Sequence, residues 1–245
     1  MRGVVAAAAA AVLLHAPPGS ARDDMQPIRG FAIDRTEVTV AEFRRFSEAT
    51  GLATAAERAG GGSVYEAGWV RKPGWTWRTP FGGPADDAEP AVHVTFAEAQ
   101  AYCRWAGKRL PTDAEWIEAA YTERRPSPPA PFATGRTYPY PTGDTPEGAN
   151  CLSECGPTPA LDRRGVLQRG IGPARARTTR PGVNGLYDMG ANAWEWVDTP
   201  LGAERITRGG SWWYGAREMH REHRASKPAE TAVAYIGFRC ARADG

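Results

Sequence analysis

The sequence predicts an α+β domain in which regular secondary structure is scarce, and three observations predict it. Residues 31–38 alternate apolar and polar side chains, the period of a half-buried strand. A Thr-x-x-Glu motif stands at Thr39–Glu42, at Thr95–Glu98 and at Thr112–Glu115, each time beside an apolar run that suits a short helix. Between these elements, residues 60–83, 126–148 and 156–182 are rich in Gly and Pro and show no periodicity.

Each helix has a physical start signal. In Thr39-Val40-Ala41-Glu42 the Thr hydroxyl is placed to accept from the amide three residues on, and the Glu carboxylate to reach back to the Thr amide. Phe43 and Phe46 then face inward, and Gly51 ends the helix. Thr95 starts a second helix that carries Tyr102, Cys103 and Trp105 and stops at Gly107; Thr112 starts a third that carries Trp116 and Ile117. Each cap contributes roughly 1 kcal/mol. Long loops survive in compact domains when they are packed, and Trp69, Trp75, Trp77, Tyr138 and Tyr140 supply aromatic area for that packing. No internal repeat and no linker divides residues 25–245, which read as one domain.

Residues 1–24 have the pattern of an export signal: Arg2, an apolar Ala/Val/Leu run over 4–14, and the small residues Gly19-Ser20-Ala21 as a cleavage site, so the mature chain is expected to begin near Arg22. A membrane anchor needs about 20 apolar residues, whereas this run stops at His15 ahead of two prolines. The expectation is a periplasmic or secreted protein without stable membrane insertion. A formal charge of +2, from interspersed acids and bases, argues against a nucleic-acid footprint. The six arginines within 163–180 read as a solvated loop. Four cysteines in an oxidising compartment imply disulfides, for which three pairings exist; nearness along the chain favours Cys151 with Cys155 and Cys103 with Cys240.

Eight segments, in order, resemble the signature blocks of formylglycine-generating-enzyme-like proteins, the sulfatase-modifying-factor family. They are FAIDRTEVT from Phe31, WRTP from Trp77, PAVHVTF from Pro90, AGKRLPTDAEW from Ala106, NGLYD from Asn184, NAWEW from Asn192, RGGSW from Arg208 and IGFRC from Ile236. The resemblance implies an irregular C-type-lectin-like fold with a twisted antiparallel core. It also implies a Cys103–Cys240 disulfide, and Cys151 with Cys155 resembles a bacterial Asn-Cys-x-x-x-Cys insert.

Formylglycine-generating enzymes oxidise a sulfatase cysteine with copper and oxygen, using two cysteines shortly after the Gly-Gly-Ser block. Thiolates suit Cu(I) because both are soft. This chain places Tyr214 and Met219 at those positions and has no cysteine between Ser211 and Arg239. Authentic formylglycine chemistry is therefore not expected. Candidate catalytic groups in the same segment are Ser211, Tyr214, His220 and His223, a set whose imidazole, phenol and nearby thioether suit iron or copper. Trp212, Trp213, Tyr214 and Met219 are candidate ligand-binding residues, with Trp213 and Tyr214 the foremost. Trp77 and Trp194 read as core, and His93 as a structural histidine bonded to backbone.

The resemblance further implies a structural calcium site formed by Asp188 and Glu195 side chains with the carbonyls of Ala191 and Ala193. A second calcium position near Asn150 lacks its downstream acid. Two functions follow as expectations: an oxidoreductase-like maturation factor acting outside the inner membrane on a small molecule or an exported partner protein, or a lectin-like binding module without turnover. Some relatives without the cysteine pair are associated with siderophore maturation, which suits the first.

Overall fold

The computed structural model describes residues 24–167 and 170–244, so the expected signal segment, apart from Asp24, lies outside the described residues. The chain runs β1 (Met25–Pro27), β2 (Phe31–Asp34), α1 (Val40–Thr50), α2 (Ala55–Arg58), β3 (Ser63–Tyr65), β4 (Trp69–Arg71), α3 (Phe96–Trp105), α4 (Asp113–Tyr121), β5 (Trp194–Leu201), β6 (Glu204–Arg208), β7 (Ala225–Lys227), β8 (Ile236–Gly237) and β9 (Ala241–Ala243). Single 3-10 turns stand at Val183–Gly185 and Ala216–Met219.

The three expected helices form, each with a complete reciprocal capping box. A fourth box, Thr54-Ala55-Ala56-Glu57, starts the short α2 and went unread because only one helical turn follows it. The expected strand over 31–38 is regular only to Asp34; Thr39 then bridges Pro90 as the chain turns into α1. Residues 60–83 are not wholly loop: β3 and β4 form an antiparallel hairpin.

Two sheets carry the rest. β1-β2-β9 is a three-stranded antiparallel sheet that pairs the N-terminal strands with the C-terminal one. The second sheet has the order β7-β6-β5-β8, antiparallel except for the β5–β8 pair. The three residues between β8 and β9 bridge the two sheets, and Cys240 among them is bonded to Cys103 of α3, 137 positions away. Such a closure lowers the entropy of the unfolded chain, because the loop that it ties is long.

Between α1, α3 and the second sheet lies the main core, where Phe43 meets Trp77 edge-on at 5.1 Å, stacks near Tyr102 at 5.9 Å and approaches Phe238 at 6.2 Å. The loop aromatics pack as expected for Trp75, Trp77 and Tyr138, all buried, but Trp69 is 57% exposed at the hairpin. In the arginine-rich stretch, Arg163 pairs with Glu89, Arg175 with Asp86 and Arg177 with Asp24, so the loop is pinned by ion pairs rather than merely solvated.

Candidate functional site

The segment after β6 opens with two glycines whose backbone no other residue adopts easily. Gly209 and Gly210 have φ of 96° and 77°, and a Cβ on Gly209 would lie 2.8 Å from the Met189 carbonyl oxygen. This turn delivers Ser211 to Met219 onto the loop that precedes β5: Ala191 donates to the Gly209 carbonyl at 2.7 Å and Trp212 to that of Asn192 at 2.9 Å.

The sequence candidates separate here. Ser211 is buried, and its hydroxyl accepts from the Trp213 amide at 3.3 Å, which makes it a turn residue. Trp212 and Trp213 are closed off from solvent, Trp212 against Phe81 and Trp213 stacked on Tyr235 at 5.8 Å. Trp213 is thus core, contrary to its place as a foremost ligand candidate, because the adjacent Tyr235 gives its ring a full apolar contact face. Met219 is also fully buried, its sulfur 3.9 Å from that of Cys155. Tyr214 alone of the four ligand candidates is half-exposed.

Tyr214 packs edge-on against Trp194 at 5.9 Å, and the His223 ring lies 5.8 Å from the same indole. Burial pushes the His223 imidazole below its ordinary pKa, so it is predominantly neutral at pH 7. His220 takes a different partner, standing edge-on to Tyr140 at 5.3 Å. Residues 220–223 form a turn, with the His223 amide donating to the His220 carbonyl, and the two imidazoles take different aromatic partners. Among the described residues no group of three or more His, Cys, Asp or Glu is gathered as a metal cluster.

A separate cleft of about 590 Å³ opens between Trp75, Phe81, Gly82 and the loop from Asp162 to Val166. Its wall is aromatic and cationic: the Arg163 guanidinium lies 4.6 Å from the Phe81 ring centre. Trp75 was singled out in the sequence for loop packing; Phe81 and Arg163 were not singled out, since neither stands beside an apolar repeat.

The interior also holds a buried charge cluster. Arg239, fully buried, donates from Nε and Nη2 to Glu195 at 2.7–2.9 Å and caps the carbonyls of Asp34 and Tyr187. Trp116 adds a bond to Glu195 Oε2 at 2.8 Å. Glu37, which sequence reasoning did not single out, accepts from Asn192 Nδ2 at 2.6 Å and from the Ala193 amide at 2.8 Å. Burial, reinforced by Asp188 and Glu195, pushes the Glu37 carboxyl well up, and burial chiefly raises Asp188 to about 6. Three acids share one guanidinium. The available signal was an acid in the apolar strand block and an Arg between Phe238 and Cys240.

The donors fit a calcium ion only in part. Asp188 Oδ1 accepts from Thr179, while Oδ2 is buried with no hydrogen-bond partner and borders a cavity with room for about one water-sized sphere. Glu195 is already saturated by Arg239 and Trp116, so its expected place as a calcium ligand conflicts with its guanidinium pairing. Ala191 and Ala193 are buried in the same loop, Ala191 at φ 62°. Asn150 is committed to Asn192 Oδ1 at 2.9 Å and to the Gly172 carbonyl at 3.1 Å.

All four cysteines are paired, Cys103 with Cys240 and Cys151 with Cys155. Residues 11–244 match the family described as Sulfatase-modifying factor enzyme 1-like domain. The chain belongs to the sulfatase-modifying-factor family. Within it, the formylglycine-generating enzyme of Streptomyces coelicolor is 33% identical over 258 residues, covering 87% of this chain and 78% of that protein. The mouse protein named inactive C-alpha-formylglycine-generating enzyme 2 is 30% identical over 249 residues, covering 89% and 77%. Among solved structures, PvdO from Pseudomonas aeruginosa superposes with a TM-score of 0.59 at 22% identity, over 87% of this chain and 80% of that one, which shows the shared fold. The sulfatase-modifying-factor fold here is the irregular, C-type-lectin-like α+β architecture that the sequence blocks imply.

Proposed function

We propose that this chain is an exported, divergent member of the sulfatase-modifying-factor family that does not generate formylglycine. In this reading it acts as an oxidoreductase-like maturation factor on a small molecule or an exported partner protein. The observation that carries the reading is the state of the sulfurs. Both disulfides are closed, so no described cysteine is a free thiol, and the segment after the Gly-Gly-Ser turn offers the phenol of Tyr214 and the thioether of Met219 instead. A thioether cannot be deprotonated to a thiolate, and a phenol is a hard oxygen donor poorly matched to Cu(I). A mouse relative named as inactive supports the view that the fold persists without that activity.

What remains suits ligand handling. Tyr214 and the neutral His223 flank Trp194, so a bound group at this edge would meet one phenol and one proton-accepting imidazole. The aromatic cleft at Trp75 and Phe81 offers flat apolar surface for an organic ligand. A structural calcium ion, if held, rests on Asp188 Oδ2 and the carbonyls of its loop, with Glu195 supplying field rather than a direct bond.

The deciding experiment incubates the protein with a sulfatase-motif peptide, copper and oxygen and reads peptide mass. The expected result is unchanged peptide with the Streptomyces coelicolor relative as positive control; an aldehyde mass overturns the reading. N-terminal sequencing of the protein recovered outside the cytoplasm, expected to start near Arg22, tests export.

A further inference from the structure

The β3–β4 hairpin is built unlike the rest of the surface. Its register pairs Tyr65 with Trp69, Val64 with Val70 and Ser63 with Arg71. Alternation therefore places Tyr65, Trp69, Ser63 and Arg71 on one face and turns Val64 into the core, where it is fully buried. Trp69 is 57% exposed, Tyr65 45% and Val70 38%, and the two rings meet edge-on at 5.5 Å. A cross-strand aromatic pair commonly stabilises a hairpin from its buried side; here it faces outward.

Charge beside the aromatic face is one-sided. Lys72 is neutralised by Glu66 at 3.0 Å. Arg71 is exposed on the aromatic face, and its guanidinium reaches the Ala59 carbonyl, beside the exposed Arg58. The hairpin thus presents a tryptophan and a tyrosine with the Arg71 guanidinium on the same face and Arg58 of α2 exposed nearby, while its one acid is already paired.

We propose that this hairpin is a peripheral docking element for an anionic lipid surface. Indole and phenol rings partition to the headgroup level, where an apolar body and a polar edge are both satisfied. An arginine beside them adds electrostatic attraction to anionic headgroups near the surface. Area argues against a protein partner or a second copy as occupant. With aromatic side chains of 150–250 Å² each, the exposed fractions leave on the order of 250 Å² of apolar surface, whereas a stable protein interface takes about 800 Å² per partner. A convex tip of that size suits shallow, reversible contact with headgroups.

The test is co-sedimentation of the full chain with vesicles of phosphatidylglycerol and phosphatidylcholine, compared with phosphatidylcholine alone. The anionic vesicles are expected to retain several-fold more protein, with retention falling as salt is raised. The double variant Tyr65→Ser/Trp69→Ser and the single variant Arg71→Glu should each reduce retention by about five-fold. All three positions are exposed, so melting midpoints near that of the parent are expected and exclude misfolding as the cause. Residues 1–23 are common to every variant, so the difference reads the hairpin alone. Equal retention of parent and variants overturns the proposal, as does equal retention on neutral vesicles. A dimer in light scattering that Trp69→Ser dissolves also overturns it, assigning the face to a second copy.

Discussion

Arg239 and Glu195 form a buried, multiply hydrogen-bonded ion pair, 44 positions apart in sequence, at the point where the two sheets meet. The pair sits between two further acids, so its single positive charge is what makes burial of Glu37, Asp188 and Glu195 tolerable. Removing one partner of such a pair leaves an uncompensated charge in a low-dielectric interior. Arg239→Leu is expected to destabilise the fold by about 3–5 kcal/mol, read from urea unfolding. Pairing it with Glu195→Leu should recover part of that loss; a single variant as stable as the parent contradicts this account.

His93 gives a pH dependence with a definite sign. Its ring is fully buried, with Nε2 3.0 Å from the Pro80 carbonyl, and burial depresses its pKa to about 4. The unfolded chain takes up that proton near pH 6.5 and the folded one only near 4. Stability from this group is therefore complete above about pH 6.5 and declines as the pH falls toward 4, by roughly 3 kcal/mol in all. His93 also has a φ of 57°, which Asn tolerates. His93→Asn should be less stable at neutral pH and should show a smaller decline in melting midpoint between pH 7 and pH 4 than the parent. A parallel pair of curves would exclude His93 as the cause.

The two disulfides should differ in worth. Closing a loop of 137 positions is assigned about 5 kcal/mol by chain entropy, and closing one of 4 positions about 2 kcal/mol. Cys103→Ser/Cys240→Ser is accordingly expected to lower the urea midpoint more than Cys151→Ser/Cys155→Ser. The reverse order would mean that the short loop holds the Tyr214 segment more firmly than its length suggests, through the Leu152 amide bond to the Tyr214 carbonyl at 2.8 Å.

Restoring sulfur is the sharpest check on the missing chemistry. Tyr214→Cys/Met219→Cys puts two thiols into the segment where the family carries its copper ligands. The variant is expected to take up about one Cu(I) per chain in competition with a chromophoric chelator, and the parent none under the same conditions. Copper uptake by the parent equal to the variant would move the metal elsewhere in the molecule.

Calcium is tested by melting in chelator and in added Ca2+. A rise in midpoint with Ca2+ that Asp188→Ala abolishes is the expected outcome, because Asp188 Oδ2 is the buried carboxylate oxygen without a partner. No shift with Ca2+ would leave the cluster as Arg239 and three acids, of which Glu37 and Asp188 hold protons more readily than exposed carboxylates.

Features that depend on neighbours a few residues apart, or on whole ordered blocks, are legible before any coordinates. Capping boxes are local, so Thr39, Thr95 and Thr112 announced their helices, and the absence of cysteine between Ser211 and Arg239 needs no coordinates to read. Eight blocks in order were enough for the family and its irregular fold. Which side chains share a space is known from the fold and not before it. Trp213 and Tyr214 are adjacent in sequence, yet one stacks into the core on Tyr235 and the other stands half-exposed against Trp194. Glu195 stands in the loop expected to hold calcium, and the fold adds what the sequence did not show: Arg239, brought across from the link between β8 and β9, is bonded to its carboxylate. Burial and charge pairing come from contacts between segments far apart in the chain, and a periodicity of two or 3.6 residues carries no record of them.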